Sequence, residues 1–370
     1  MNESAKALFV PSEGIYLLNH SVGRPPVNTR DAWVESFLEP WENAGENVWP
    51  RWLQTIDNFR SALAGLLHGQ TMDFCPQVNL SSALTKIITS MKPTESRQTI
   101  LYTEQDFPSM AFVLQQAVKQ GYRLKAIPEH LDTLNLNVWS EQLSPDVGLV
   151  LVTHVHSNTG RQVPVADICA LAQKQEIVSI IDIAQSAGVV PIDLCAWNAD
   201  FVIGSCVKWL CGGPGAGFMW VAPERLPTCE PTDVGWFSHE NPFEFDSHNF
   251  RYARDALRFW GGTPSVTPYA IATNSIRLLQ RIGIETIRAH NLALTQQMIE
   301  AVDADRVITP AQPEKRGGTI VLHYPDSQLD AVCTRLKQAK VDFDVRPTGI
   351  RMSPHIYNDV NEIGAVVDLL

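Results

Sequence analysis

No apolar run in the sequence reaches membrane-spanning length, and the first residues, MNESAKALFVPSEG, lack a basic start followed by a long apolar stretch. Neither a membrane span nor a signal peptide is expected. Cysteine is sparse and unpatterned: Cys75, Cys169, Cys195, Cys206, Cys211, Cys229 and Cys333, with no CxxC. An odd count without that spacing suggests neither a disulfide framework nor a zinc site, so no metal is expected. Reduced thiols suit a cytoplasmic protein. Positive charge is short, with 29 Lys and Arg against 40 Asp and Glu, a net of −11. That deficit argues against nucleic-acid binding, whose affinity comes mostly from basic side chains. It leaves an anionic small substrate open, because one buried arginine can hold a carboxylate in an acidic protein. Repeats and low-complexity tracts are missing too. What is present is ordinary globular material, 45% hydrophobic and 19% charged over 370 residues, enough for two or three domains.

The middle of the chain alternates strands and helices. TILYT (99–103), GLVLVTH (148–154), IVSIID (177–182), ADFVIGS (199–205) and GFMWVA (217–222) are apolar nearly throughout, as strands covered on both faces are. VADICALAQKQ (165–175) carries Val165, Ile168, Leu171 and Ala172 at helical spacing behind Pro164. The pattern predicts an α/β fold with a doubly wound, mostly parallel sheet. Ligands bind such sheets at the carboxyl ends of the strands, which directs attention to the loops after Thr153, Asp182 and Ser205. TIVLHY (319–324), a helical pattern near 327–339, VDFDV (341–345), GIRMS (349–353) and a last helix from about 359 predict a small α+β domain. Residues 265–305 read as helical, while the first 60 are rich in Trp and Pro and have no clear period. The expected division is an N-terminal segment 1–60, a large domain 61–265, and linking helices with a small domain over 266–370.

The stretch 180–221 is dense in chemistry. Asp182 closes a buried strand, Lys208 follows the next one, and GGPGAG (212–217) comes after it. A carboxylate and an amine at neighbouring strand ends are what a pyridoxal phosphate site needs: the amine to hold the cofactor, the carboxylate to keep the pyridine nitrogen protonated. Taken alone, a lysine after a strand is equally a solvated end, and an aspartate there a turn or cap. The glycine-rich run has neither the GK[ST] ending of a nucleotide loop nor a strand–GxGxxG–helix setting, and reads as a tight turn.

The segment resembles the class V aminotransferase group of fold-type I pyridoxal phosphate enzymes, and within it kynureninase most. YLLNHSVGRPP (16–26), DFPSM (106–110), VGWFSHENPFEFD (234–246), RFWGGTPSV (258–266) and IRMSPHIYND (350–359) extend the resemblance over nearly the whole chain. It implies that Lys208 is the Schiff-base lysine and that Asp182 pairs with the pyridine nitrogen. Gln185 would bond the ring hydroxyl, and Phe107 would stack on the ring. Leu80 and Ser81 would bind the phosphate at a helix start, a position that favours anions, with Ser81 otherwise a plain N-cap. Ser205 is a second phosphate candidate, and Thr153 and Ser157 would touch the ring edge. Trp236 and Thr263 match positions that reach the phosphate from a neighbouring subunit, so a homodimer with shared sites is implied. Arg351 would hold the carboxylate of a small amino-acid substrate, with Asn19 and Ser21 lining the pocket. His154, His156 and His239 read either as acid–base groups or as structural hydrogen-bonders.

Three positions depart from kynureninase. Val207 stands where that family has a tyrosine, Met110 where it has an aspartate, and Gln185 where it has a histidine. Cys333 lies in the helical pattern LDAVCTRLKQ, unlike the mobile-loop cysteine of a desulfurase. The readings weighed are aminotransferase-type or related lyase or epimerase chemistry, true kynureninase, a desulfurase-like lyase, and a catalytically silent relative that binds cofactor or a partner.

Overall fold

A computed structural model describes residues 3–43 and 47–370. The strands, in chain order, are β1 (Ile15–Tyr16), β2 (Phe74–Gln77), β3 (Thr99–Thr103), β4 (Arg123–Ile127), β5 (Val147–Thr153), β6 (Val178–Asp182), β7 (Phe201–Ser205), β8 (Gly217–Val221), β9 (Ile320–Leu322), β10 (Val341–Asp342), β11 (Asp344–Arg346) and β12 (Gly349–Met352). Seven form the main sheet, in the order β2-β8-β7-β6-β5-β3-β4. β3 to β7 run parallel, and β8 lies antiparallel to both of its neighbours. The architecture is therefore α/β with a mostly parallel sheet.

Alternate residues of the central strands divide between two cores, because a strand's side chains point to opposite faces. Val150, Val152, Ile181 and Val202 enter one; Leu149, Leu151, Ile180, Phe201 and Ile203 enter the other. The helix Val165–Lys174 covers the first face with Val165, Ile168, Cys169 and Ala172. Leu80–Thr89 and Pro108–Ala117 cover the second with Leu84, Ile87, Met110 and Leu114. The strand order reverses between β3 and β5, a switch point where the carboxyl ends leave a crevice.

A second sheet, β11-β12-β9, packs on Leu17 and on the helices Ile284–Glu300, Asp326–Gln338 and Val360–Val367. VDFDV is not one strand. Val341 and Asp342 pair with Ile15 and Tyr16, while Asp344–Arg346 joins the other sheet. The helical region after 265 is two helices, Thr267–Ile282 and Ile284–Glu300, separated by Gly283 at φ 91°. The stretch that showed no period includes the start of a 19-residue helix, Trp49–Leu67, which buries Ile56, Phe59, Leu63 and Leu67.

Candidate active site

A cavity of about 190 Å³ opens at the carboxyl ends of β5, β6 and β7. Leu80, Ser81, Phe107, Thr153, Ser157, Asp182, Gln185, Ser205 and Lys208 all line it, so nine residues picked out from the sequence meet at one place.

Lys208 follows β7 by three residues and is anchored from both sides. Gly23 N–H donates to the Val207 carbonyl at 2.8 Å, and a Cβ on Gly23 would meet the Lys208 carbonyl oxygen at 2.1 Å. On the other side Trp209 is fully buried: its indole donates to Gln185 Oε1 at 3.2 Å, and its carbonyl accepts from His355 Nε2 at 3.0 Å. The amine is thereby aimed into the cavity, 5.6 Å from the centroid of the Phe107 ring. Burial lowers the Lys208 pKa, Asp182 works to raise it, and Arg351 lowers it further. Phe107 is 47% exposed, so it is a ring at the cavity mouth and not a core aromatic.

Asp182 is buried at the end of β6, where burial raises its pKa while the Ala184 N–H, 2.8 Å from Oδ1, and the Lys208 charge favour the carboxylate. Gln185 is held at both ends, since its Nε2 also donates to the His20 carbonyl at 3.1 Å. One hydrogen on Nε2 is left for a ligand. Thr153 Oγ1 is buried and has no hydrogen-bond partner among the described residues. A ligand that brings an acceptor would satisfy it.

The helix Leu80–Thr89 points its N-terminus at the cavity, and the cap is Asn79 rather than Ser81. Asn79 has the extended backbone a cap needs and accepts from Ser82 N–H at 2.8 Å, leaving Ser81 inside the first turn. The amides of Leu80 and Ser81 lie in that turn, where a helix offers positive partial charge to an anion. Ser205 adds a hydroxyl at the cavity edge.

The other predicted residues lie elsewhere. Asn19 does not line the cavity: its Nδ2 donates to the Ser353 carbonyl and its Oδ1 accepts from Tyr357. Ser21 is exposed and also outside it. The motif that contains them instead locks Gly23 against the lysine loop. Arg351 is outside the cavity lining but tied to it, donating from Nη1 to the Ser157 carbonyl at 2.8 Å. Trp236 packs among Trp49, Phe237, Phe243 and Phe245, and Thr263 sits in a separate depression beside Lys86 and Asp233. His154 and His156 bond Ser186 and Thr133, and burial pushes them down to about 3 and about 4. His239 Nδ1 accepts from the Asn241 N–H, and its Nε2 donates to the Asn249 carbonyl.

Reading residues alone missed Asp344, His20 and Asp106. Asp344 holds Arg351, and His20 lies beside the pair. Asp106 is buried behind the cavity, where desolvation pushes its carboxyl up to about 6. The hairpin pattern around 344–351 could have paired Asp344 with Arg351; nothing in sequence marks His20.

A lysine amine, a buried carboxylate, an exposed ring, a helix N-terminus and an unpartnered hydroxyl around one cavity fit pyridoxal phosphate. The model of the class-V aminotransferases matches residues 51–366. An uncharacterised aminotransferase of Bacillus subtilis, YcbU, is 27% identical over 90% of this chain and 88% of its own. The kynureninase of Pseudomonas fluorescens is 26% identical over 86% and 79%. Among solved structures, an apo cysteine desulfurase of Thermococcus onnurineus superposes with a TM-score of 0.85 at 20% identity, covering 96% of this chain and 94% of that one.

Proposed function

The chain belongs to the class-V aminotransferase family and is a pyridoxal-phosphate-dependent enzyme, and from that premise we propose that it acts on a free α-amino acid through Lys208. The observation that carries the reading is the placement of the Lys208 amine over the Phe107 ring, in one cavity with Asp182 and the Leu80–Ser81 helix start. When bound, pyridoxal phosphate supplies a ring that accepts the electron pair released at the substrate α-carbon. The chain's own residues do the rest. Lys208 holds the cofactor covalently. Burial lowers its pKa, which favours the neutral amine that would take and return the substrate's α-proton. Asp182 would hold the ring nitrogen's proton, Gln185 Nε2 would bond the ring hydroxyl, and Phe107 would cover a ring face. The Leu80 and Ser81 amides with Ser205 would bind the phosphate, and Thr153 would donate at the ring edge. Arg351 receives the substrate carboxylate.

The chemistry we favour is transamination, or a related lyase or epimerase reaction, over kynurenine hydrolysis. Val207 offers no proton donor, and Met110 places a thioether side chain on the cavity wall. Cys333 is part of the helix Asp326–Gln338, which gives no mobile persulfide carrier. We further place the enzyme in the cytoplasm as a homodimer in which Trp236 and Thr263 serve the neighbouring subunit's phosphate. Among the described residues no helix is long and apolar enough to cross a membrane.

The test is a half-reaction screen. Purified holoenzyme should bleach in the visible as a productive amino acid is added. Borohydride reduction and peptide mapping should place the cofactor on Lys208. A cofactor found on another lysine, or no spectral response to any α-amino acid, would end the reading. Steady-state turnover of kynurenine or 3-hydroxykynurenine at ordinary enzyme rates would replace transamination with kynurenine hydrolysis.

A further inference from the structure

Arg351 has been given one task, to hold a substrate carboxylate, yet its fork already holds one. Asp344 and Arg351 face each other across the β11–β12 hairpin. Arg351 Nε donates to Asp344 Oδ1 at 2.8 Å and Nη2 donates to Oδ2 at 2.6 Å. With Nη1 on the Ser157 carbonyl, three of the five guanidinium N–H groups are engaged, and the two-bond edge through Nε is closed. Arg351 is 4% exposed, so water competes weakly for the pair. Burial alone would raise the Asp344 carboxyl, but His20 and Arg351 outweigh it and hold the group well below the usual carboxylate range. It carries a full negative charge.

Two further groups surround that carboxylate. Arg346 Nη2 lies 3.2 Å from the same Oδ2, on a side chain half exposed to solvent. His20 Nε2 lies 3.7 Å away, is buried, and has no hydrogen-bond partner among the described residues. Arg346 therefore offers Asp344 a second cation further toward solvent, and His20 lines the place where the carboxylate sits.

Resting on the amino-acid reading above, we propose that Asp344 is a resident stand-in for the substrate carboxylate and sets the specificity of the site. A substrate binds by taking Asp344's place on the Nε–Nη2 edge of Arg351, while Asp344 moves onto Arg346. The exchange is one carboxylate for another, so Arg351 adds little net affinity for any single anion. It discriminates sharply by charge, because an amide or ester cannot pair with the guanidinium that Asp344 would leave.

Calorimetric titration of the holoenzyme with propionate and with propionamide tests the exchange. Asp344→Asn should bind propionate about tenfold tighter or more, since the resident anion is gone, and propionamide no better than wild type does. Arg351→Ala should bind propionate no better than propionamide. Equal or weaker propionate binding in Asp344→Asn would make Asp344 a residue that merely orients Arg351, and would overturn the inference. A crystal structure of wild-type holoenzyme with propionate answers independently of how that variant folds. Asp344 on Arg346 with propionate on Nε and Nη2 supports the exchange; Asp344 in place with propionate on the far edge refutes it. Visible absorbance of the cofactor separates the two levels. If the holoenzyme forms, the propionate result judges Asp344 alone; if wild-type protein takes up no pyridoxal phosphate, the functional reading fails and takes this inference with it.

Discussion

Two regions of the molecule carry the residues that motif reading selected, and they are built in opposite ways. Around Lys208 the groups come from the ends of β5, β6 and β7, from a helix start and from buried loops, and one chain brings them together. Around Trp236 the chain runs through short 3-10 turns and loops between 231 and 263. There Phe243, Phe245 and Phe250 stay exposed, although their rings contact other aromatics. The first region is organised by the sheet, and apart from the Phe107 ring at the cavity mouth its apolar surface is covered. The second presents apolar surface that none of the described residues covers. The contrast separates what one chain builds by itself from the surface on which the proposed homodimer would rest.

The largest effect should come from the amine at the centre of the first region. Lys208→Ala should lose covalent cofactor and nearly all turnover, with the fold retained; full activity in that variant would detach the first region from catalysis. Asp182→Asn comes next. It should still bind cofactor, yet a loss of several kcal/mol of transition-state stabilisation, at about 1.4 kcal/mol per tenfold, slows turnover by orders of magnitude. A rate within a factor of two of wild type would reduce Asp182 to a capping residue for Ala184.

Acid should unfold the first region preferentially. His154, His156 and His355 are buried and pushed down to about 3, 4 and 4. The fold holds them neutral, whereas the unfolded chain protonates them below its ordinary value near 6.5. Their contribution is complete above that value and is lost as pH falls, about 2 kcal/mol each by pH 5. Asp106, raised by burial to about 6, works the other way and returns about 1 kcal/mol over the same interval. Melting temperature should therefore drop from pH 7 to 5, and His156→Gln should drop less. An equal drop in both would place the acid sensitivity elsewhere. Gly23→Ala should cost a similar amount at pH 7, about 1–3 kcal/mol, because its methyl would press on the Lys208 carbonyl from 2.1 Å. Cofactor absorbance should weaken along with stability; a variant as stable as wild type would show that the N-terminal motif does not position the lysine.

The first region was the more legible one, for a physical reason. Strands covered on both faces must be apolar throughout, so 147–153, 178–182 and 201–205 announce themselves, and the polar residues that end these runs, Thr153, Asp182 and Ser205, all line the cavity. Choices made by tertiary structure left no such mark. The cap of Leu80–Thr89 is settled by the backbone of Asn79, two residues before the first serine of the pair. VDFDV divides because Val341 finds Ile15 while Asp344 finds Arg351, partners separated in the first case by most of the chain. The helix Trp49–Leu67 buries Thr55, Arg60 and Phe59 along with aliphatic residues and alanines, which blurs its period. Arg351 was recognisable from its motif, but the carboxylate that occupies it is fixed by hairpin register alone.

The smallest effect on the fold should sharpen the comparison most. Phe245 is 75% exposed, so Phe245→Ser removes little buried surface and should change the stability of one chain by no more than about 0.5 kcal/mol. If the 231–263 surface is where a second copy docks, the same change should shift the protein toward monomer in sedimentation or light scattering. It should also lower activity at dilute protein while leaving it intact when concentrated, because Trp236 and Thr263 would no longer reach the other phosphate. Both readouts follow from one exposed ring that the single chain has no use for. A variant that stays dimeric would move the interface off this surface. A fully active monomer would remove the need for any partner and make the Lys208 cavity complete as one chain builds it.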